Sequence, residues 1–379
     1  VSDQPGFLSR LFISGSLAFV LIGVVGSIYG VALPAFARAY TLAEGEAGTI
    51  LSTHALGAVV AVLAATLGVP HLGARTATAL IAAGTAGIAL MAGWTATLVA
   101  SLVVGAGFGL IATEVNRSFL AGFGARGPGM VGLVNGISGL GLVAGPLLFV
   151  WTGSSIMAVY GGMAVLAATL VFTFARDEGP ATTPGSLAGF LQWRTGILLL
   201  NHVSVSLEAA LAGLAVTALI ASGWSEAGAA TLAAGFFASF LIGRVALYWI
   251  TRHVAADLLF LIGAAGTALT TGLAAIGFEA VGFIAAGAFI GIAFPSFFVW
   301  GARVLGDDSR VSAAILLSGL SGLAIGPFVM GAILHETGMD FLFTAVAIGA
   351  ALLALAIAAT ISPARRAVAR RNPGNPATA

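Results

Sequence analysis

Apolar residues run along this chain in long, nearly unbroken blocks, without the two-residue alternation of a half-buried strand. A helix needs roughly 20 apolar residues to cross the hydrocarbon of a bilayer. Twelve blocks approach or exceed that length: 11–37, 47–69, 76–93, 96–122, 129–152, 156–175, 195–221, 227–250, 257–276, 280–302, 311–334 and 340–361. Lipid offers no partner to backbone N–H and C=O groups, so only helices and closed barrels span it. Continuous blocks predict helices, and the chain reads as an all-α polytopic membrane protein with twelve transmembrane helices. The first block is too long for a cleavable leader, and a second follows closely with no cleavage-site pattern.

Composition agrees. The 379 residues are 59% hydrophobic and only 8% charged, against about 25% in an ordinary soluble domain. So few charges cannot cover a water-soluble globule. A net charge of +1 gives no footing for nucleic acid. The absence of cysteine excludes disulfides, iron–sulfur clusters, thiolate zinc sites and cysteine nucleophiles. The five histidines are scattered and the six methionines lack ligand spacing, so no metal site is expected. Neither a cofactor nor an enzymatic constellation is expected.

All 15 basic residues are arginine, and arginine marks the cytoplasmic side of a span. With both termini inside, the inner loops and tails hold Arg10, Arg75, Arg126, Arg176, Arg194, Arg244, Arg252, Arg303, Arg310, Arg365, Arg366, Arg370 and Arg371. The outer loops hold only Arg38, together with the acids Glu44, Glu46, Glu226, Glu279, Glu336 and Asp340. Arg117 lies within a span. The expected location is an inner (plasma) membrane, crossed many times, with cytoplasmic termini.

The chain also repeats itself. Glu46-Ala47-Gly48 opens the second block and Glu226-Ala227-Gly228 the eighth. Gly141-Leu142 and Gly145-Pro146 recur as Gly322-Leu323 and Gly326-Pro327 at nearly the same spacing. The one long polar connection, 176–194, falls between the matching parts. This divides the chain into a six-helix bundle over 1–175, a cytoplasmic linker over 176–194, a second six-helix bundle over 195–362 and a flexible basic tail over 363–379. Two parallel halves with a site between them are the plan of alternating-access carriers.

Several stretches carry a resemblance. They are Gly30-Val31-Ala32-Leu33-Pro34, Leu42-Ala43-Glu44-Gly45-Glu46-Ala47-Gly48, Glu114 in span 4, Val134-Asn135 leading to Gly145-Pro146-Leu147, and Ile290-Gly291-Ile292-Ala293-Phe294-Pro295. The chain resembles the major facilitator superfamily along essentially its full length, and within it the fucose-permease branch of sugar–proton symporters. The branch's Glu-Thr-x-x-Asn motif stands here as Glu114-Val115-Asn116-Arg117, and its span-1 carboxylate is replaced near Gly30. The superfamily's loop motif between spans 2 and 3 is reduced to the stretch from Gly68 to Arg75, without its Asp. The resemblance implies two pseudo-symmetric bundles, alternating access, and a role for Glu114 in proton movement.

Charge at membrane depth costs several kcal/mol and marks pathways. Glu114 and Arg117, three residues apart, project from one face of span 4 and form a candidate proton-coupling pair. Burial favours the neutral carboxyl and the cation the ionised one. The alternatives are a permanent structural bridge, an Arg117 that docks a substrate anion, or an Arg117 that snorkels to the inner surface. In span 7, Asn201, Ser204 and Glu208 share a stripe flanked by His202 and Ser206. A polar stripe should face a cavity, where Glu208, Asn201 and His202 would contact substrate. The alternative is an interhelical hydrogen-bond cluster. Tyr29, Asn135 and Phe298 complete the substrate candidates. Gly145, Pro146, Gly326, Pro327, Arg75 and Arg244 are the gating candidates, with Arg244 read as a latch or topology determinant at the inner end of span 8.

These readings lead to a proton-coupled carrier of a small polar solute, sugar-like or an organic acid, acting as a monomer in the lipid bilayer and driven by the proton gradient alone. The rival reading is a proton-driven efflux antiporter for amphiphilic compounds.

Overall fold

A computed structural model describes residues 9–43, 45–67, 69, 72–174, 196–306 and 311–371. The apolar blocks fold into twelve α-helices among these residues. The first half holds α1 (Arg10–Tyr40), α2 (Thr49–Thr66), α3 (Ala74–Ala89), α4 (Trp94–Gly122), α5 (Gly127–Trp151) and α6 (Ile156–Val171). The second holds α7 (Ile197–Ala221), α8 (Glu226–Ile250), α9 (Ala256–Ala275), α10 (Glu279–Leu305), α11 (Val311–Thr337) and α12 (Leu342–Arg371). Serine side chains satisfy first-turn N–H groups: Ser9 accepts from Phe12 N at 3.3 Å, Ser155 from Ala158 N at 3.2 Å and Ser225 from Gly228 N at 3.1 Å.

Ten of these helices are long and apolar enough to cross a membrane. The other two, α3 and α6, have 16 residues each, shorter than the blocks 76–93 and 156–175 predict. The α3–α4 reversal takes up the end of its block, with Gly93 at φ 120°, a backbone conformation open to glycine. At the C-terminus the structure corrects the expected tail. Residues 363–371 continue α12, because Ala364 is buried and Arg365 is tied to Asp257 on α9 by hydrogen bonds of 2.6 and 3.1 Å. The linker 176–194, with Arg176 and Arg194, lies outside the described residues, as do Arg310 and Glu44.

The internal repeat is visible as repeated backbone contacts. On α4, Gly105 lies against the His54 carbonyl and Gly109 against that of Ala58. On α10, Gly287 lies against the Phe236 carbonyl and Gly291 against that of Phe240, at the same half-chain spacing. On α5, Gly141 meets the Val20 carbonyl and Gly145 meets Ser27, while on α11 Gly322 meets the His202 carbonyl and Gly326 that of Ser206. A side chain at any of these positions would push two helices apart. Small residues at repeated positions let apolar helices pack closely where lipid provides no hydrophobic drive between them.

The halves meet along α1–α7, α2–α11 and α5–α8. Gly30 of α1 faces the Ala212 and Gly213 carbonyls of α7, and Leu51 of α2 covers Gly213. At the same end, Arg38 of α1 forms a two-pronged ion pair with Glu226, the first residue of α8. The halves are therefore closed on one another at the Arg38–Glu226 end.

Candidate functional site

A cavity of about 280 Å³ lies between the halves, just inward of the Gly30–Gly213 crossing. Helices α1, α2, α4, α5, α7, α8 and α11 line it. Its wall is largely apolar and includes Phe19, Phe108, Phe236, Phe237 and Phe240. Its polar side chains are Tyr29, His54, Asn135, Ser138, Glu208 and Arg244.

Glu208 sits midway along α7. Its carboxylate makes no hydrogen bond or ion pair among the described residues, but it interacts electrostatically with Arg244 across the α7–α8 boundary. The Arg244 guanidinium lies over the Phe240 ring, 4.3 Å from its centroid, and its buried Nε has no protein partner. Arg244 is thus a wall of the cavity. Expected as a latch or topology determinant at the inner end of span 8, Arg244 instead lines the cavity with its side chain. Facing this pair, Tyr29 packs against His54 with ring centroids 5.0 Å apart. The Tyr29 hydroxyl and His54 Nδ1 are buried without hydrogen-bond partners among the described residues. Leaving such a group unsatisfied costs about 1–3 kcal/mol, and orphaned polar groups around one cavity fit a site that binds polar ligand groups. The orphaned ring nitrogen of His54 has no signal in the sequence.

Asn135 lines the same cavity, with its Nδ2 donating to Asn116 Oδ1 at 3.0 Å and to the Val131 carbonyl at 2.8 Å. The rest of the span-7 stripe does something else. Asn201 is fully buried and donates to the Ile315 carbonyl at 3.1 Å and to Ser318 Oγ at 2.8 Å. His202 Nδ1 is hydrogen-bonded to Ser321 Oγ at 2.9 Å, and Ser206 donates to the Gly322 carbonyl at 3.2 Å. These residues fasten α7 to α11 within the second half. Asn201 and Glu208 share one face but lie about two turns apart along the axis, so the stripe splits by position: its N-terminal turns meet α11, and Glu208 meets the cavity.

Glu114 and Arg117 form an ion pair on α4, with the Glu114 side chain 7% and that of Arg117 42% exposed. Neither lines the central cavity. Phe298 is also absent from the lining; it packs on Phe294 at 6.2 Å within the second half. Gly145 and Gly326 seat α5 on α1 and α11 on α7, each inside its own half. Pro327 reaches the cavity wall, and Pro146 lies beside Gly145 in α5. Arg75 stands in the first turn of α3, half-buried. Among the described residues no group of three His, Asp or Glu side chains could hold a metal ion.

No protein-family description matches the chain, and no curated protein matches it by sequence. Solved structures do match in shape. A D-xylose–proton symporter superimposes with a TM-score of 0.75 at 14% identity, covering 93% of this chain and 97% of its own. A peptide transporter POT gives 0.78 at 13% identity, covering 96% and 97%. The E. coli fucose:proton symporter gives 0.63 at 18% identity, covering 91% and 97%. The fucose branch suggested by the sequence stretches is thus one of several similar shapes. Twelve helices in two repeated halves around a central cavity, matched over nearly its whole length by these proteins, give this chain the major facilitator fold.

Proposed function

We propose that this chain is a proton-coupled secondary transporter that carries a small polar solute, sugar-like or an organic acid, across an inner membrane by alternating access. The observation that carries the reading is the cavity between the halves, sealed at the outer end and holding one uncommitted carboxylate, Glu208, beside one uncommitted guanidinium, Arg244. Solute oxygens engage Arg244, which weakens its pull on Glu208. Glu208 then binds a proton, because an unpaired carboxylate in a low-dielectric cavity is favoured neutral. Solute and proton thus occupy the cavity together, and rocking of the halves releases both on the other side. The Glu114–Arg117 pair, off the cavity and near the inner end of α4, serves proton exchange or the inner gate. The termini lie in the cytoplasm.

A second reading has its own support. Five phenylalanines in the wall suit an amphiphile with one polar end, moved outward in exchange for protons. Proteoliposomes separate the two. With an inward proton gradient, symport accumulates a labelled sugar or organic acid, whereas antiport expels a lipophilic cation and accumulates neither. Transport of no solute under either gradient contradicts both.

A further inference from the structure

A second concavity, of about 610 Å³, lies away from the central cavity, where α8 ends, α9 begins and the inner half of α10 passes. Arg252, His253 and Arg303 line it. Among the described residues neither guanidinium makes a hydrogen bond or ion pair; Arg252 only stacks on the Tyr248 ring, 4.7 Å from its centroid. Asp257, next to the pocket residue Ala256, is taken up in its two hydrogen bonds with Arg365.

Two further features favour an anion. Helix α9 begins in the pocket at Ala255 and Ala256 with no side-chain cap. The positive dipole end of this 20-residue helix faces the space, while Asp257 in its first turn accepts from Leu258 N at 2.9 Å. Ser296, in the pocket wall, is 3% exposed, and its hydroxyl is buried with no hydrogen-bond partner among the described residues. At the matching position of the first half stands Glu114 on α4. The second half has replaced an acid by a neutral hydroxyl under two arginines.

We infer that this pocket binds a phosphate group. Its surroundings favour the headgroup of an anionic phospholipid. Tyr248 and Trp249 are 65% and 56% exposed beside it, at the inner end of α8, as interfacial aromatics are. Val299, in its wall, is also exposed and offers contact to an acyl chain. Basic pockets between helices on the cytoplasmic side suit such headgroups.

The test uses the full chain in detergent, with dioleoyl phosphatidylglycerol as probe and retained lipid counted by native mass spectrometry. Loss of both arginines in R252Q/R303Q weakens retention by about tenfold or more, since charge-assisted contacts to phosphate oxygens are strong. R366Q, which removes an exposed arginine on the same side, leaves it unchanged. Competition by millimolar sodium phosphate identifies a free-phosphate site, and its absence identifies a headgroup site; either outcome supports phosphate recognition. S296E, which places an acid at the orphaned hydroxyl, repeats the loss if the double variant does not fold. Equal retention by wild type and these variants, or an equal loss in R366Q, overturns the assignment.

Discussion

Glu208 on α7 and Arg244 on α8 face one cavity, feel each other's charge, and form no ion pair with one another. A closed bridge would satisfy both groups and leave nothing for a solute. An open pair keeps a cation ready for solute oxygens and a carboxylate ready for a proton.

Arg244→Gln removes the cation from the cavity. The half-saturating concentration for solute exchange is expected to rise about ten- to hundredfold, from the loss of a charged hydrogen bond. Concentration-dependent counterflow in proteoliposomes measures it. An unchanged half-saturation in a folded variant removes Arg244 from the solute site.

Asn201→Ala separates fastening from binding. Asn201 donates two hydrogen bonds to α11, and membrane hydrogen bonds average about 0.6 kcal/mol each. Thermal unfolding should show a loss of about 1 kcal/mol with half-saturation unchanged. A weakened half-saturation at wild-type stability would return Asn201 to the solute site.

Arg38→Gln or Glu226→Gln opens the outer bridge. The pair is exposed, so it contributes no more than about 1 kcal/mol, enough to shift a closed–open population by about fivefold. Because the chain has no cysteine, spin labels can be placed on cysteines introduced at Thr41 and Thr337, at the C-terminal ends of α1 and α11. Pulsed resonance distances should lengthen in either single variant and return in the charge swap Arg38→Glu with Glu226→Arg. Identical distance distributions in all four proteins would deny the bridge a part in closure.

Gly326→Val drives a side chain into the Ser206 backbone, and Gly145→Val drives one into the Ser27 side chain on α1. Each should cost about 1–3 kcal/mol of stability. At Gly162, where an added Cβ meets nothing within 4 Å, alanine should be neutral or slightly stabilising. Thermal melts of the three variants check the ordering.

Much of the architecture was legible because each helix had to be a long apolar block, and the Gly145-Pro146 and Gly326-Pro327 pairs marked the repeat. The candidate site was legible in part. Glu208 stood out because a carboxylate at the middle of a span has few structural uses. Its partner did not, because Arg244 lies near the end of its span, and an arginine there resembles the topology arginines around it. Asn201 and His202 look the same in sequence as Glu208 does. Only the packing of α7 on α11 tells a fastening residue from a cavity residue. The lengths of α3 and α6 and the continuation of α12 through Pro363 to Arg371 depend on tertiary contacts, among them Asp257 with Arg365, that span distant parts of the chain.

The central claim is that Glu208 carries the coupled proton. Glu208→Gln keeps the shape of the side chain and removes its charge and titration. In proteoliposomes with an inward proton gradient, the variant should fail to accumulate solute while exchanging it at near wild-type rates without a gradient. Accumulation equal to wild type under the same gradient would contradict the account.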